Sequence, residues 1–227
     1  MSNVLVVGDL HSPFIKEGYL EHCIATKKRF KCDTVVFIGD VIDNHYSSFH
    51  ESDPDGYGAG QELQRAIDKL RPFYEAFPNA HVTWGNHDEI ITRKSMSAGL
   101  SKRWLRSYSE VLETPGWDFV EHVDIDGVRY QHGTGGAAEH AAFNRAKNYR
   151  VSVVQGHIHT AANIEFSAGL VDRVFGFQVG CGIDAAAYAM AYARNFTKKP
   201  IVSCGVVLDD GKLPILCPMY LGDKENR

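Results

Sequence analysis

The 227-residue chain (25.3 kDa) carries 24 Lys and Arg against 28 Asp and Glu, a formal net charge of −4. With 44% hydrophobic and 23% charged residues, the composition excludes disorder, collagen-like repeats and a disulfide scaffold. No global basic field draws the chain to nucleic acid or an anionic membrane, although a local patch can still do so. The length predicts one large domain or two small ones, with a core that folds without staples.

The opening MSNVLVVGDLH has no positive n-region and its apolar run stops at Gly8, so it predicts a first strand rather than a signal peptide. Val4-Leu5-Val6-Val7 leads into Gly8-Asp9-Leu10-His11. An amphipathic stretch from Tyr19 to Phe30 predicts a helix. Thr34–Ile38 then leads into Gly39-Asp40-Val41-Ile42-Asp43. Leu63, Ala66, Ile67 and Leu70 share one helical face, and Pro72 is expected to end or kink that helix. Ala80–Trp84 leads into Gly85-Asn86-His87-Asp88, Val128–Gln131 into His132-Gly133, and Val151–Gln155 into Gly156-His157-Ile158-His159. Runs of this length and β-branched content predict buried strands. A helix is expected over Glu139–Tyr149, and hairpin turns at Asp126-Gly127 and Asp210-Gly211. The run from Ile201 to Tyr220 predicts strands completing a sheet. The alternation argues for an α/β fold with largely parallel pairing and some antiparallel strands late in the chain.

The five cysteines (Cys23, Cys32, Cys181, Cys204 and Cys217) contain no C-x-x-C pair, which predicts free thiols in a reducing compartment. No segment approaches the ~20 apolar residues that span a bilayer. A cytoplasmic protein without a membrane partner is therefore expected.

Every polar cluster sits where a strand ends, which is where α/β sheets place their ligands. A Gly-Asp after a strand is by itself usually a turn, and a lone His is more often a surface or core residue. His157 and His159 would lie on one side of an extended segment, as a metal pair does. Together, Asp9, His11, Asp40, Asn86, His132, His157 and His159 supply N and O ligands on one rim. Without cations such a set would repel or stay unpaired, which is costly. Their number exceeds the four of a structural zinc site and suits two adjacent metals, the arrangement that clamps an in-line phosphoryl displacement.

In this order the motifs Asp9-Leu10-His11, Gly39-Asp40-Val41-Ile42-Asp43, Gly85-Asn86-His87-Asp88, His132-Gly133 and Gly156-His157-Ile158-His159 resemble the signature of the calcineurin-like metallophosphoesterases. The resemblance implies a single domain over residues 1–227, built as a four-layer α/β/β/α sandwich with mixed sheets and a dinuclear centre at its strand ends. It implies Asp9, His11 and His159 on one metal, Asn86, His132 and His157 on the other, and Asp40 between them. His87 would protonate the leaving oxygen, and Asp43 would orient His87 and raise its pKa. The nucleophile would be a metal-bridging hydroxide. Two divalent cations are implied: Mn is favoured, and Fe, Zn and Ni suit the same ligands.

Ser/Thr protein phosphatases of this superfamily carry Arg where this chain has Asn44, and the third motif here ends in Asp88 rather than Glu. Loss of that fork favours phosphodiesters of nucleotides or nucleic acid over monoesters. The alternative is a phosphomonoesterase such as a Ser/Thr protein phosphatase. A different class, a non-catalytic binding module on the same scaffold, is opposed by the retention of Asp40, Asn86 and His87.

Two segments stand where lids are expected, 45–60 and 90–117. Tyr46, Phe49 and Tyr57 in the first either flank a substrate or belong to a surface loop. Arg93, Lys94, Lys102, Arg103 and Arg106 in the second, with Trp104 and Tyr108, resemble a nucleotide-facing cap. The plainer expectation there is a helix with a solvated basic face, Trp104 in the core and Arg93 exposed. Tyr188, Met190 and Tyr192 are expected to pack rather than bind, and His22, His50, His81, His122 and His140 to be structural or surface residues.

Overall fold

The alternating runs become the elements of a computed structural model, which describes residues 2–49, 53–136, 138–187 and 197–222. The first half contains β1 (Val4–Val7), α1 (Tyr19–Phe30), β2 (Thr34–Phe37), α2 (Ala59–Ala76), β3 (Ala80–Thr83) and α3 (Ile90–Ser97). A 3₁₀ turn at Lys102–Trp104 and α4 (Tyr108–Val111) precede β4 (Trp117–Val120), β5 (His122–Ile125) and β6 (Val128–Gln131). The chain continues through α5 (Ala141–Tyr149), β7 (Ser152–Gln155), β8 (Asn163–Ala168), β9 (Arg173–Gln178), β10 (Ser203–Leu208) and β11 (Leu213–Pro218). His50, the lid residues 50–52, Tyr188, Met190 and Tyr192 lie outside the described residues.

The strands form a six-stranded sheet, β11-β10-β1-β2-β3-β4, and a five-stranded sheet, β5-β6-β7-β9-β8. β1 to β4 pair in parallel, with Val7 opposite Phe37 and Val82 opposite Phe119, while β10 and β11 add antiparallel strands. In the second sheet β6, β7 and β9 are parallel, flanked by antiparallel β5 and β8. Parallel pairing brings the carboxyl ends of β1, β2 and β3 to one edge. That edge carries the site.

Period-2 alternation sets the layers. Val4, Val6, Val36 and Ile38 face the second sheet, where they meet Val128, Tyr130, Val154 and Phe177. The intervening Leu5, Val7, Val35 and Phe37 face the other way, onto Tyr19 and Cys23 of α1 and Ala66, Leu70 and Phe73 of α2. Behind the second sheet, Ala146 of α5 packs on Val153 and Val174. The order is helix, sheet, sheet, helix, as expected.

Pro72 does not end α2, which runs on to Ala76. Phe73 and Phe77, 3% and 2% exposed, bury against the first sheet beyond the proline. Their burial outweighs the lost backbone bond, which costs about 3 kcal/mol or more in an isolated helix. The hairpin at Asp126-Gly127 forms with left-handed φ values of 48° and 75°, joining paired Ile125 and Val128. The second hairpin uses a longer loop, because Leu208 pairs with Leu213 and leaves 209–212 to turn. All five cysteines are free thiols. No helix among the described residues is long and apolar enough to cross a membrane.

Segment 90–117 departs from the single helix with a buried tryptophan. It breaks into α3, the 3₁₀ turn and α4, and Trp104 is 83% exposed. The interior position goes instead to Tyr108, whose ring meets Trp84 edge-on with centroids 4.9 Å apart. Gly99, at a left-handed φ of 76°, interrupts the helix just after α3. Arg93 is exposed, as expected, and its guanidinium lies 4.8 Å from the centre of the Phe49 ring.

Candidate metal centre

The loop after β1 is tied to the loop after β2 through backbone alone: the N–H groups of Leu10 and His11 donate to the Asp40 carbonyl at 3.1 and 2.8 Å. His11, Asp40 and His157 all sit at left-handed φ values (47°, 47° and 71°). Non-glycine residues adopt that region only when their surroundings hold them there. Here the holding bonds run between the loops themselves. The His87 N–H donates to Asp40 Oδ1 at 2.8 Å, and the His157 N–H to Asp9 Oδ2 at 2.8 Å.

These bonds converge the expected residues into two groups that share Asp40. In the first, His159 Nε2 lies 3.1 Å from Asp9 Oδ2 and 3.2 Å from His11 Nε2, which is 3.5 Å from Asp40 Oδ2. In the second, His132 Nε2 lies 3.1 Å from Asp40 Oδ2, 3.1 Å from Asn86 Oδ1 and 3.2 Å from His157 Nδ1. The ligand atoms of Asp9, His11, Asp40 and His159 lie within 4.8 Å of one another, and so do those of Asp40, His132 and His157. All seven expected residues are therefore brought together.

The segment after β7 is a turn rather than an extended pair. The Ile158 N–H bonds back to the Gly156 carbonyl at 2.9 Å, so His157 and His159 diverge into different groups. Asp43 meets His87, as expected, but through its backbone rather than its carboxylate. Its carboxylate lies 2.5 Å from His11 Nδ1 but 3.6 Å from His87 Nδ1, and it is the Asp43 backbone carbonyl that takes the His87 Nδ1–H at 2.6 Å. Burial and the neighbouring His11 then lower the His87 pKa, against the opposing pull of Asp40 and Asp43.

Several features of this donor set fit cations. Asp9 Oδ1 is buried and has no hydrogen-bond partner, a costly state for a carboxylate oxygen unless a cation meets it. Protons take up part of the charge: burial pulls His132 down, but Asp40 and Asp9 override it and push its pKa up to about 9. His11 is likewise raised against burial by Asp40 and Asp43. His157, beside His132, is pulled the other way, down to about 4, by burial and by His132. Cation binding would release those protons. Glycines leave room for the carboxylates, since a Cβ on Gly85 would lie 2.0 Å from Asp40 Oδ1 and one on Gly156 2.0 Å from Asp9 Oδ1.

Gly85→Ala is accordingly expected to displace Asp40 and cost about 1–3 kcal/mol, a fall in Tm of roughly 2–12 °C for a domain this size. Thermal denaturation and metal content, measured on one preparation, check both halves of that statement. Unchanged stability and metal content would show that the loop yields without moving the carboxylate.

Four supporting residues were not among the expected site residues. Buried Asp88 accepts from the N–H groups of Val41, Ile42 and Gly85 at 3.1, 3.3 and 2.9 Å, locking the third loop to the second. Burial and Asp40 raise its pKa to about 7. Glu62 of α2 holds the loop after Asp43 by accepting from the N–H groups of His45 and Tyr46 at 2.6 and 2.9 Å. Arg145 of α5 donates to Gln155 Oε1 at 2.9 Å and to the Thr134 carbonyl at 2.8 Å, bracing both histidine loops of the second sheet. It also lines a cleft of about 300 Å³ beside His132 and Trp84. Tyr108 donates its hydroxyl to the Asp88 carbonyl. Only Asp88 stood inside a recognisable motif; the others act across distances that local sequence does not encode.

Among solved structures the chain is similar to a metallophosphoesterase from Sphaerobacter thermophilus (13% identity, TM-score 0.48, covering 96% of this chain and 88% of that one). It is also similar to Yfce, a phosphoesterase from E. coli (12%, TM-score 0.44, 91% and 88%), and to Vacuolar Protein Sorting 29 from Cryptosporidium parvum (16%, TM-score 0.47, 96% and 98%). None of the curated proteins compared with it matches in sequence. The profile of the family described as calcineurin-like phosphoesterase matches residues 2–161, a span that contains every loop of the two Asp40-sharing groups. With that match over more than half its length, the chain belongs to the calcineurin-like phosphoesterase family.

Proposed function

We propose that the chain is a metal-dependent phosphoesterase that hydrolyses phosphodiesters of nucleotides or nucleic acid. The observation that carries this reading is the pair of ligand groups sharing Asp40, with the His87 ring 4.5 Å from the His11 ring, centroid to centroid. Two cations there would generate hydroxide from water at neutral pH and offset charge on the phosphoryl oxygens. Manganese is the ion we propose for activation; imidazole, carboxylate and amide ligands also take Fe, Zn or Ni, and availability decides.

The remaining chemistry belongs to the chain. Asp9, His11 and His159 would hold one cation, Asn86, His132 and His157 the other, and Asp40 both. The Asp43 carboxylate holds Nδ1 of His11, which leaves Nε2 facing the shared Asp40. Because His87 commits its Nδ1–H to the Asp43 carbonyl, Nε2 is the atom that passes a proton to the leaving oxygen. An anionic phosphate beside the ring raises its lowered pKa again and so supplies the imidazolium when substrate arrives.

The diester preference rests on Asn44. Its amide donates to the His87 carbonyl at 3.0 Å and so is part of the loop scaffold, with no arginine fork in that place. A monoesterase is the second reading, favoured by Arg145 lining the cleft beside His132. Rates on an aryl phosphodiester and the matching aryl phosphomonoester, with Mn-loaded protein, separate the two. The diester is expected to be hydrolysed faster. A monoester preference abolished in Arg145→Ala would establish the second reading in place of the first.

A further inference from the structure

Between Ile90 and Tyr108 the chain carries five basic residues and no acidic one, within a protein of net charge −4. Arg93, Lys94, Lys102, Arg103 and Arg106 are all exposed, and among the described residues none of them forms an ion pair. Among the described residues, Arg71, Arg129, Arg150 and Lys198, all outside this segment, do form ion pairs. In the middle of these cations stands Trp104, 83% exposed, a residue whose apolar surface is normally covered.

Both ends of the segment are anchored to the candidate metal centre. α3 grows directly out of the third loop, where the Ile90 N–H bonds to the His87 carbonyl at 3.2 Å. The segment returns at Tyr108, whose hydroxyl bonds the Asp88 carbonyl. Phe49, from the loop after β2, lies under its start, 4.8 Å from the Arg93 guanidinium and 5.4 Å from the Lys94 ammonium. The basic segment is thus held at both ends by residues 87–88. Two loops that meet at the site, after β2 and after β3, both contribute to it.

We propose that this segment is a binding platform for single-stranded nucleic acid, with Trp104 stacking on an unpaired base and the flanking cations neutralising phosphates on either side. The chemistry suits that ligand on two independent counts. Unpaired, exposed cations at short spacing match a polyanion, and a free indole face supplies the sequence-tolerant stacking that single strands offer and duplexes conceal. The platform names the substrate class of the diesterase reading and rests on it to that extent; its segment begins and ends at the loop that carries His87. It does not depend on hydrolysis, because every group in it lies outside the ligand set.

The test is fluorescence anisotropy of a labelled oligothymidylate titrated with the full chain, once in EDTA and once with Mn²⁺. Binding is expected in both. For about three to five phosphate contacts, the affinity should fall with salt at a log–log slope of roughly −2 to −3.5. Trp104→Ala should weaken binding about tenfold, within the range for loss of one stacked base. Arg103→Glu with Arg106→Glu should weaken it by at least about tenfold and flatten the salt slope. These side chains are exposed, so folding should be untouched, and circular dichroism checks it. Binding that ignores all three substitutions, a preference for the matching duplex, or capture by phosphatidylserine vesicles without oligonucleotide binding would each overturn the proposal. Oligonucleotide binding by a chain that hydrolyses no ester would leave the platform standing and remove the hydrolase; hydrolysis of aryl diesters without oligonucleotide binding would do the reverse.

Discussion

Asp40→Asn is expected to lower the bound metal from two equivalents to one or fewer and to reduce turnover by at least about 10³-fold, the equivalent of roughly 4 kcal/mol of lost charge stabilisation. Asp40 is the member common to both ligand groups. Its Oδ1 takes the His87 N–H at 2.8 Å while Oδ2 faces His132 Nε2 at 3.1 Å and His11 Nε2 at 3.5 Å. An asparagine can keep one of those acceptors but brings an amide donor against an imidazole and removes the charge between the groups. The substitution should also lower the pKa of His132, since Asp40 is the strongest force raising it. Elemental analysis of the purified variant, together with turnover at saturating Mn²⁺, measures both effects. Full metal content and full turnover would remove Asp40 from the shared position.

His87→Ala should behave in the opposite way toward metal. The ring makes its Nδ1 bond to the Asp43 carbonyl and is not required by either Asp40-sharing group, so two equivalents of metal are expected to remain. Turnover should drop by about 10²–10⁴-fold on a diester with an alkyl or nucleoside leaving group, the usual contribution of a general acid. On a nitrophenyl ester the loss should be much smaller, because nitrophenolate departs without a proton. That contrast is the informative part. An equal loss on both leaving groups would mean that His87 positions the phosphate rather than protonating the leaving oxygen. In the wild-type pH profile, the limb that falls with rising pH should belong to this imidazolium and be missing in the variant.

Much of the site was legible because its chemistry is written in short, contiguous motifs. Asp9-x-His11, Asp40-x-x-Asp43, Asn86-His87, His132 and His157-x-His159 each follow a β-branched run, and strand ends are where α/β sheets gather ligands. Helix α1 was bounded at Tyr19–Phe30 by its apolar period alone. Of the two effects expected of Pro72, an end or a kink, the end does not occur, and the reason is not local. Its effect on the backbone is local, but the burial of Phe73 and Phe77 that carries α2 past it is not.

The sequence by itself determined which residues are present to hold cations, roughly where the strands and helices lie, and the family signature they compose. Only the tertiary structure decided how those residues are used. Residue spacing alone put His157 and His159 on one side of an extended segment; the family resemblance divided them, and the turn that sends one to His132 and the other to Asp9 supplies the physical reason. Asp43 is a partner of His87, but its carboxylate lies closer to His11 and it is its carbonyl that takes the His87 hydrogen bond. Tyr108 rather than Trp104 turned inward, because its hydroxyl reaches the Asp88 carbonyl and its ring meets Trp84. In each case the deciding bond joins residues from different loops. Which partner wins depends on sheet register and layer packing, and a local reading of residue type has no access to either.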